Sequence, residues 1–281
     1  MDIQLSEQQG VRIALEGCGH GTLDNIYASA DFARIKKGWD SIDLLIIGGD
    51  LQTVRNVFDL NCVSMPLKYR AMGDFHKYYS GERIAPILTI FVGGNHEASN
   101  YLFELHFGGW VAPNIYYMGA ANVLRFGPLR IMGMSGIYKP HDYQKPHSER
   151  LPYSESDVKS IYHVREINVR KLLHIRTQLD IGISHDWPNG MEWRGDYKQL
   201  FRFKPFFADD ANMGRLGSMA ARGVLIELKP RFWFSAHLHC EYLALWDHGA
   251  PLHPPPSNVK PAANHEEIDL DDNESTGNVY T

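Results

Sequence analysis

Long apolar runs are missing from this sequence, and none approaches the roughly 20 residues that a bilayer-spanning helix requires. Cysteine is scarce. Cys18, Cys62 and Cys240 are odd in number and lack framework spacing, which excludes a disulfide scaffold and suits a reducing compartment. The opening residues Met1-Asp2-Ile3-Gln4-Leu5-Ser6-Glu7 lack the basic region and apolar core of a signal peptide. No Lys or Arg follows Lys260, whereas Glu266, Glu267, Asp269, Asp271, Asp272 and Glu274 do, so the net charge of −5 becomes +1 over residues 1–260. A body so close to neutral cannot hold a polyanion through a global field, and any nucleic acid must be bound by a local patch. Together these absences predict a soluble, intracellular protein with no membrane partner. The 281-residue chain is long enough to bury a core without disulfides. One domain is expected over residues 1–250, followed at 251–281 by a Pro-rich and then acidic tail that cannot bury enough to fold.

What the sequence does have is glycine at the ends of apolar β-type runs. The run at 86–92 stops at Gly93-Gly94-Asn95-His96-Glu97, and the run at 42–47 stops at Gly48-Gly49-Asp50. Residues 11–15 alternate and lead into Glu16-Gly17-Cys18-Gly19-His20-Gly21. Strands predicted at 180–184 and 231–235 end in His185-Asp186-Trp187-Pro188 and in Ala236-His237-Leu238-His239. In α/β proteins, sites are built in the crevice beyond the carboxyl ends of strands, where glycine allows close backbone approach.

Helices are predicted over 23–36, with Leu23, Ile26, Phe32 and Ile35 as its apolar residues, between 66 and 79, over 98–107 and over 213–228. Ser154 and Asp157 read as a capping box before a long helix whose apolar side is Val158, Ile161, Val164, Val169, Leu172 and Leu173. Short β-type runs fall at 115–118, 123–126 and 129–134, and a polar loop follows at 135–150. Phe232-Trp233-Phe234 reads as a strand buried on both faces. His141, His147, His163 and His174 lack a matching context and read as surface residues.

Collected, the strand ends carry Cys18, His20, Asp50, Asn95, His96, His185, His237 and His239. Alone, Cys18 suits a small buried hydrophobe, Asp50 a helix cap, and His185 or His237 a hydrogen-bonded core histidine. As a set they are nitrogen, oxygen and thiolate donors that strands of one sheet would present together, a mixture suited to zinc, iron(II) or manganese. One or two such divalent ions would activate a water and neutralise charge on a phosphodiester.

The order Gly-Cys-x-His-Gly, Gly-Asp, Gly-Gly-Asn-His-Glu, Ser-His-Asp-Trp-Pro and Ser-Ala-His-x-His resembles the calcineurin-like metallophosphoesterases. More narrowly, Pro66-Leu67-Lys68-Tyr69-Arg70, Tyr78-Tyr79-Ser80-Gly81-Glu82 and the segment from Gly108 to Tyr117 are similar to the RNA lariat debranching enzymes. Ser135-Gly136-Ile137-Tyr138 and the segment from Ser160 to Arg165 belong to the same set. The resemblance implies an α/β fold of the α/β/β/α type, a β-sandwich flanked by helices. It implies that Asp50 bridges two metals, that Cys18, His20 and His239 complete one pocket, and that Asn95, His185 and His237 complete the other. His96 would protonate the leaving 2′-oxygen or steady the phosphate. The implied reaction is metal-dependent hydrolysis of the 2′–5′ branch of excised intron lariats, in intron turnover and mRNA processing in the nucleus.

Branched RNA is the implied partner, with no DNA. It would be read by Tyr138, Lys139, Tyr143, Lys145 and Arg150 on the polar loop and by Tyr197 and Lys198, through stacking and phosphate neutralisation. Cys18 departs from the Asp usual in the wider superfamily, and the chain ends at Thr281 within what resembles an acidic insertion, as a shortened form would. A phosphoesterase of broader range, and a non-catalytic interaction module of the same fold, are the competing readings.

Overall fold

The structure, a computed structural model, describes residues 3–249, and the predicted tail at 251–281 lies outside them. Strands β1 (Gln4–Gln8), β2 (Val11–Cys18), β3 (Leu44–Gly49), β4 (Thr89–Phe91), β5 (Gly109–Ala112) and β6 (Ile115–Tyr117) form one sheet in the order β1-β2-β3-β4-β6-β5. Strands β7 (Ala121–Phe126), β8 (Leu129–Met134), β9 (Ile181–Ser184) and β10 (Phe232–Ser235) form a second in the order β10-β9-β8-β7. The helices are α1 (Leu23–Lys37), α2 (Phe75–Tyr79), α3 (Ser99–Glu104), α4 (Pro140–Tyr143), α5 (Glu155–Ser160), α6 (Glu166–Leu173), α7 (Tyr197–Phe203), α8 (Phe207–Asn212) and α9 (Met219–Leu228). Among the described residues no helix is long and apolar enough to cross a membrane.

Alternation along the central strands explains the layers. Ile13, Leu44, Ile46 and Ile90 pack with Leu129, Ile131, Ile181 and Ile183 between the sheets. Their neighbours Ala14, Leu45, Ile47 and Phe91 face the other way, onto Leu23, Ile26 and Ala30 of α1. Met132 and Met134 of β8 face Val169, Leu172, Ala221 and Val224 of α6 and α9. Successive side chains point to opposite faces of a strand, so a sheet covered on both sides reads as a continuous apolar run. Each fully buried Leu, Ile or Phe contributes about 1.5–3 kcal/mol relative to exposure. The result is the α/β/β/α sandwich.

Strands β2, β3, β4 and β6 are mutually parallel, as are β8, β9 and β10. Cys18 lies opposite Gly49, and Ser184 lies opposite both Met134 and Ser235. In-register parallel strands therefore release their following residues at one edge of the sandwich.

Several elements differ from expectation. Leu23 and Ile26 of α1 are buried, but Phe32 and Ile35 are 70% and 60% exposed, because Tyr27 and Ala30 complete the buried stripe. Between 66 and 79 only a 3₁₀ turn, Leu67–Tyr69, and the short α2 form. The capping box at Ser154 is present, yet the long helix is broken into α5 and α6, because the chain between them bonds elsewhere: the Val164 amide donates to the Ile137 carbonyl at 2.9 Å. α9 starts at Met219, where the Ser218 hydroxyl accepts from the Ala221 amide. The Phe232-Trp233-Phe234 strand is half-buried rather than core, since β10 lies at the end of its sheet. His163 is buried and His147 half-buried, contrary to their surface reading, while His141 and His174 are exposed. Strands β1 and β5 were not anticipated.

Candidate metal centre

The donors converge at the edge where both sheets end. Cys18 ends β2 and His20 lies two residues past it, Asp50 follows β3, Asn95 and His96 stand four and five residues past β4, His185 follows β9, and His237 and His239 follow β10. The sequence reading had placed them on one sheet. They come instead from two, and backbone bonds join the turns: Gly19 donates to the Gly49 carbonyl at 3.0 Å, and Ala236 to the His185 carbonyl at 3.0 Å.

The sulfur, nitrogen and oxygen atoms of Cys18, His20, Asp50 and His239 lie within 4.8 Å of one another, with His20 Nε2 3.0 Å from His239 Nε2. On the other side of Asp50, His185 Nε2 stands 3.5 Å from Asp50 Oδ2 and 3.1 Å from Asn95 Oδ1, and the His185 and His237 ring centroids are 5.0 Å apart. The His237 amide donates to Cys18 Sγ at 3.2 Å, so a sulfur of one pocket touches the backbone of the other.

Ring orientation is set by carbonyls. His185 Nδ1 donates to the Gly48 carbonyl at 2.9 Å, leaving the Nε2 lone pair turned toward the oxygens of Asp50 and Asn95. His96 Nδ1 donates to the Ser64 carbonyl at 2.7 Å, while the Asn95 amide donates to His96 Nε2 at 3.2 Å, which turns Asn95 Oδ1 toward His185. The Ser64 hydroxyl lies 3.1 Å from the Tyr162 hydroxyl.

Asp50 Oδ1 accepts the His96 amide at 2.8 Å, but Oδ2 is buried without a hydrogen-bond partner. Burial alone would raise the Asp50 carboxyl. The imidazoles of His185, His96 and His20, with the His96 amide, outweigh it and hold the group well below the usual carboxylate range. A buried carboxylate oxygen with no donor, facing a nitrogen lone pair and an amide oxygen, is a convergence of acceptors that a divalent cation satisfies. The residues present fit such an ion.

Glu97 completes the support. Its carboxylate accepts the amides of Leu51 at 2.8 Å, Thr53 at 3.2 Å and Gly94 at 3.3 Å, tying the β3 and β4 loops together. Burial and the nearby Asp50 charge push it up to about 8, against the pull of those amides. Sequence reasoning assigned no role to Glu97, Ser64 or the Gly48 carbonyl. Glu97 had a signal in its position beside His96, and the two carbonyl contacts had none.

The residues expected to read RNA are less concentrated. The Tyr138 amide donates to Asp186 Oδ2 at 3.2 Å, which places the start of the polar loop beside the neighbour of His185. The Tyr138 and Tyr143 rings pack edge-on at 5.3 Å and lean on the α6/α9 core, and burial raises the Tyr143 phenol. Lys139 is half-buried, Lys145 is exposed and pairs with Asp142 at 2.9 Å, and Arg150 is exposed. Tyr197 packs on Trp193 and Phe201, with Lys198 exposed next to it on α7. The structure thus brings together the candidate metal donors and His96, and distributes the other seven over the polar loop, with its short α4, and α7.

Residues 11–241 match the calcineurin-like phosphoesterase family. The chain is 52% identical over 240 residues to the lariat debranching enzyme of Schizosaccharomyces pombe, covering 85% of this chain and 50% of that protein. It is 52% identical over 240 residues to the Homo sapiens lariat debranching enzyme, with 85% and 44% covered, and 50% identical over 240 residues to that of Arabidopsis thaliana, with 85% and 57% covered. The chain spans about half the length of the curated relatives it matches. Every donor at the strand ends falls inside the matched region, and the chain belongs to the calcineurin-like phosphoesterase family.

Proposed function

We propose that the chain hydrolyses the 2′–5′ phosphodiester of branched lariat RNA, using one or two divalent ions drawn from iron(II), zinc and manganese, and that it works in the nucleus on excised introns. What carries the reading is the convergence of Cys18, His20, Asp50 and His239, with His185 and Asn95 beside Asp50, in a chain about half identical over 240 residues to lariat debranching enzymes.

Cys18, His20 and His239 would hold an ion on one side of Asp50, and Asn95, His185 and His237 on the other. When bound, a divalent ion lowers the pKa of water and neutralises charge on a phosphate. Asp50, with one oxygen steadied by the His96 amide and the other facing His185, would be shared between the two positions. His96 is held by Ser64 through Nδ1, so Nε2, which accepts the Asn95 side-chain amide here, is the ring atom left to take up a proton from the attacking water and pass it to the departing 2′-oxygen. Its burial, at 2% exposure, keeps bulk water from competing for that proton. Lys139, Lys145, Arg150 and Lys198 neutralise phosphates flanking the branch, and Tyr138, Tyr143 and Tyr197 contact sugars and bases.

The test is cleavage of a synthetic branched RNA beside a linear 3′–5′ control, with each ion supplied in turn and His96→Ala run alongside. Cleavage at the branch alone, lost in the variant, is the expected result. Equal cleavage of both RNAs would point to an enzyme of broader range, and a chain that takes up no divalent ion under any loading condition would sink the enzyme reading.

A further inference from the structure

The polar loop between β8 and α5 is gripped by a buried ionic cluster that the chemistry above does not use. Arg165, directly ahead of α6, reaches across the loop. Its Nη1 donates to the Asp142 carbonyl at 2.8 Å, and its Nη2 donates to Glu149 Oε1 at 2.6 Å and to the Ser160 carbonyl at 2.9 Å. The two paired side chains are only 3% and 2% exposed. Glu149 also accepts the Ser160 hydroxyl at 2.6 Å, and His163 Nδ1 donates to Asp142 Oδ2 at 2.7 Å. One short segment, 160–165, therefore holds the loop at its start through Ile137, in its middle through Asp142 and at its end through Glu149.

His141, Asp142 and His163 also stand within 4.8 Å of one another, a spacing a metal ion would accept. The ammonium of Lys145 at 2.9 Å from Asp142 already supplies the positive charge there, and the Arg165 guanidinium bonds the carbonyl of the same residue. The cluster is an ion-pair clamp rather than a cation site.

A buried ion pair is a weak stabiliser compared with apolar packing of the same volume, because desolvation offsets its attraction. What it does supply is geometry: a guanidinium fork accepts partners only in fixed directions. Here the partners lie on the loop that bears Lys139, Lys145 and Arg150, three flexible cations that would otherwise point independently. We infer that Arg165 and Glu149 are positioning residues that hold this loop in the shape that reads the RNA branch. The inference rests on the proposed branched substrate. A small diester that touches only the metal centre has no use for the loop.

The experiment compares the wild type with Arg165→Lys and with Glu149→Gln, which retains a carbonyl acceptor and covers the case in which the first variant fails to fold. Three quantities are read: kcat and KM on branched RNA, kcat/KM on bis(p-nitrophenyl) phosphate with the same ion, and amide exchange over residues 137–150. Expected is a fall of about tenfold or more in kcat/KM on branched RNA, mostly in KM. Exchange in the loop should rise by about tenfold, with β3 and β9 unchanged. Small-diester turnover should stay within about twofold. Unchanged loop exchange and branched-RNA kinetics overturn the clamp, as does a parallel fall on both substrates, which would place the effect in the centre itself. A wild type that leaves branched RNA intact overturns the substrate reading and with it the loop's role, a result distinct from an active wild type with unaffected variants.

Discussion

Replacing Gly94 by Ala tests the metal centre with one methyl group. A Cβ at this position would overlap Asp50 Oδ1 and come within 2.6 Å of His185 Cε1 and 2.7 Å of Asp50 Cγ. Gly94 does not have a left-handed φ, so the substitution acts through bulk and not through backbone strain. Restoring ordinary contact requires a displacement of roughly 1 Å among these groups, and neither neighbour is loose. Asp50 Oδ1 is held by the His96 amide at 2.8 Å and the His185 ring by the Gly48 carbonyl at 2.9 Å. Overpacking of this kind costs about 1–3 kcal/mol, which a chain of this size survives. Function should suffer more. Metal–ligand distances tolerate only about 0.2 Å, and a misplacement of about 1 Å near the chemistry costs on the order of 10²-fold in rate. Metal content after loading and dialysis, turnover of a small diester, and the urea unfolding midpoint are the assays. Gly223→Ala in α9 is the control: no atom lies within 4 Å of its added Cβ, so it should gain about 0.5–1 kcal/mol in stability with metal uptake and turnover intact. A folded Gly94→Ala protein with full metal content and wild-type turnover would refute the placement of Asp50 and His185 as neighbouring ligands.

Two further outcomes are expected. Glu192 is 1% exposed with Oε1 unpartnered, and burial pushes its carboxyl up to about 7, against the pull of its own and the Gly190 amides and of the Arg222 charge. A folded pKa above the unfolded one contributes stability that is full below the unfolded pKa and lost as pH rises through about 7, so Glu192→Gln should gain on the wild type between pH 5 and 8 by up to ~3 kcal/mol in urea titrations; a difference independent of pH would refute this. Removing bound metal with a chelator should lower the thermal midpoint. Zinc or manganese at about 100 times Kd should restore about 2.7 kcal/mol, and Asp50→Asn should abolish that gain.

The sandwich was legible where burial on both faces leaves no ambiguity. Leu44 to Ile47 is fully buried, and its glycine ending marks the site. Legibility failed where apolar residues report burial without saying against what. Val158 to Leu173 has helical spacing, but the chain at 161–165 spends its backbone bonds on the polar loop, and no local pattern announces a partner at Ile137. Phe32 and Ile35 fit the same helix as Leu23, yet the buried stripe of α1 runs through Tyr27 and Ala30 instead. β1, with the sequence Gln4-Leu5-Ser6-Glu7-Gln8, carries almost no strand signal and forms because β2 offers an open edge to pair with.

At the site, the convergence of candidate donors was legible and their physical setting was not. His163, like exposed His141, lacks a strand-end context in the sequence, and is buried where Asp142, twenty-one residues earlier, supplies the bond that burial demands. The ligand turns carry a feature that no spacing encodes. Of the eight non-glycine residues with positive φ among the described residues, four are His20, Asp50, His237 and His239, at +43°, +49°, +66° and +47°. Such conformations cost about 1–3 kcal/mol each and persist only where the surroundings over-determine them. Here the surroundings are the paired strand ends, through bonds such as Gly19 to Gly49 and Ala236 to His185. The fold itself holds these turns through its backbone bonds, and candidate ligands fixed by a scaffold have little order left to lose on binding an ion.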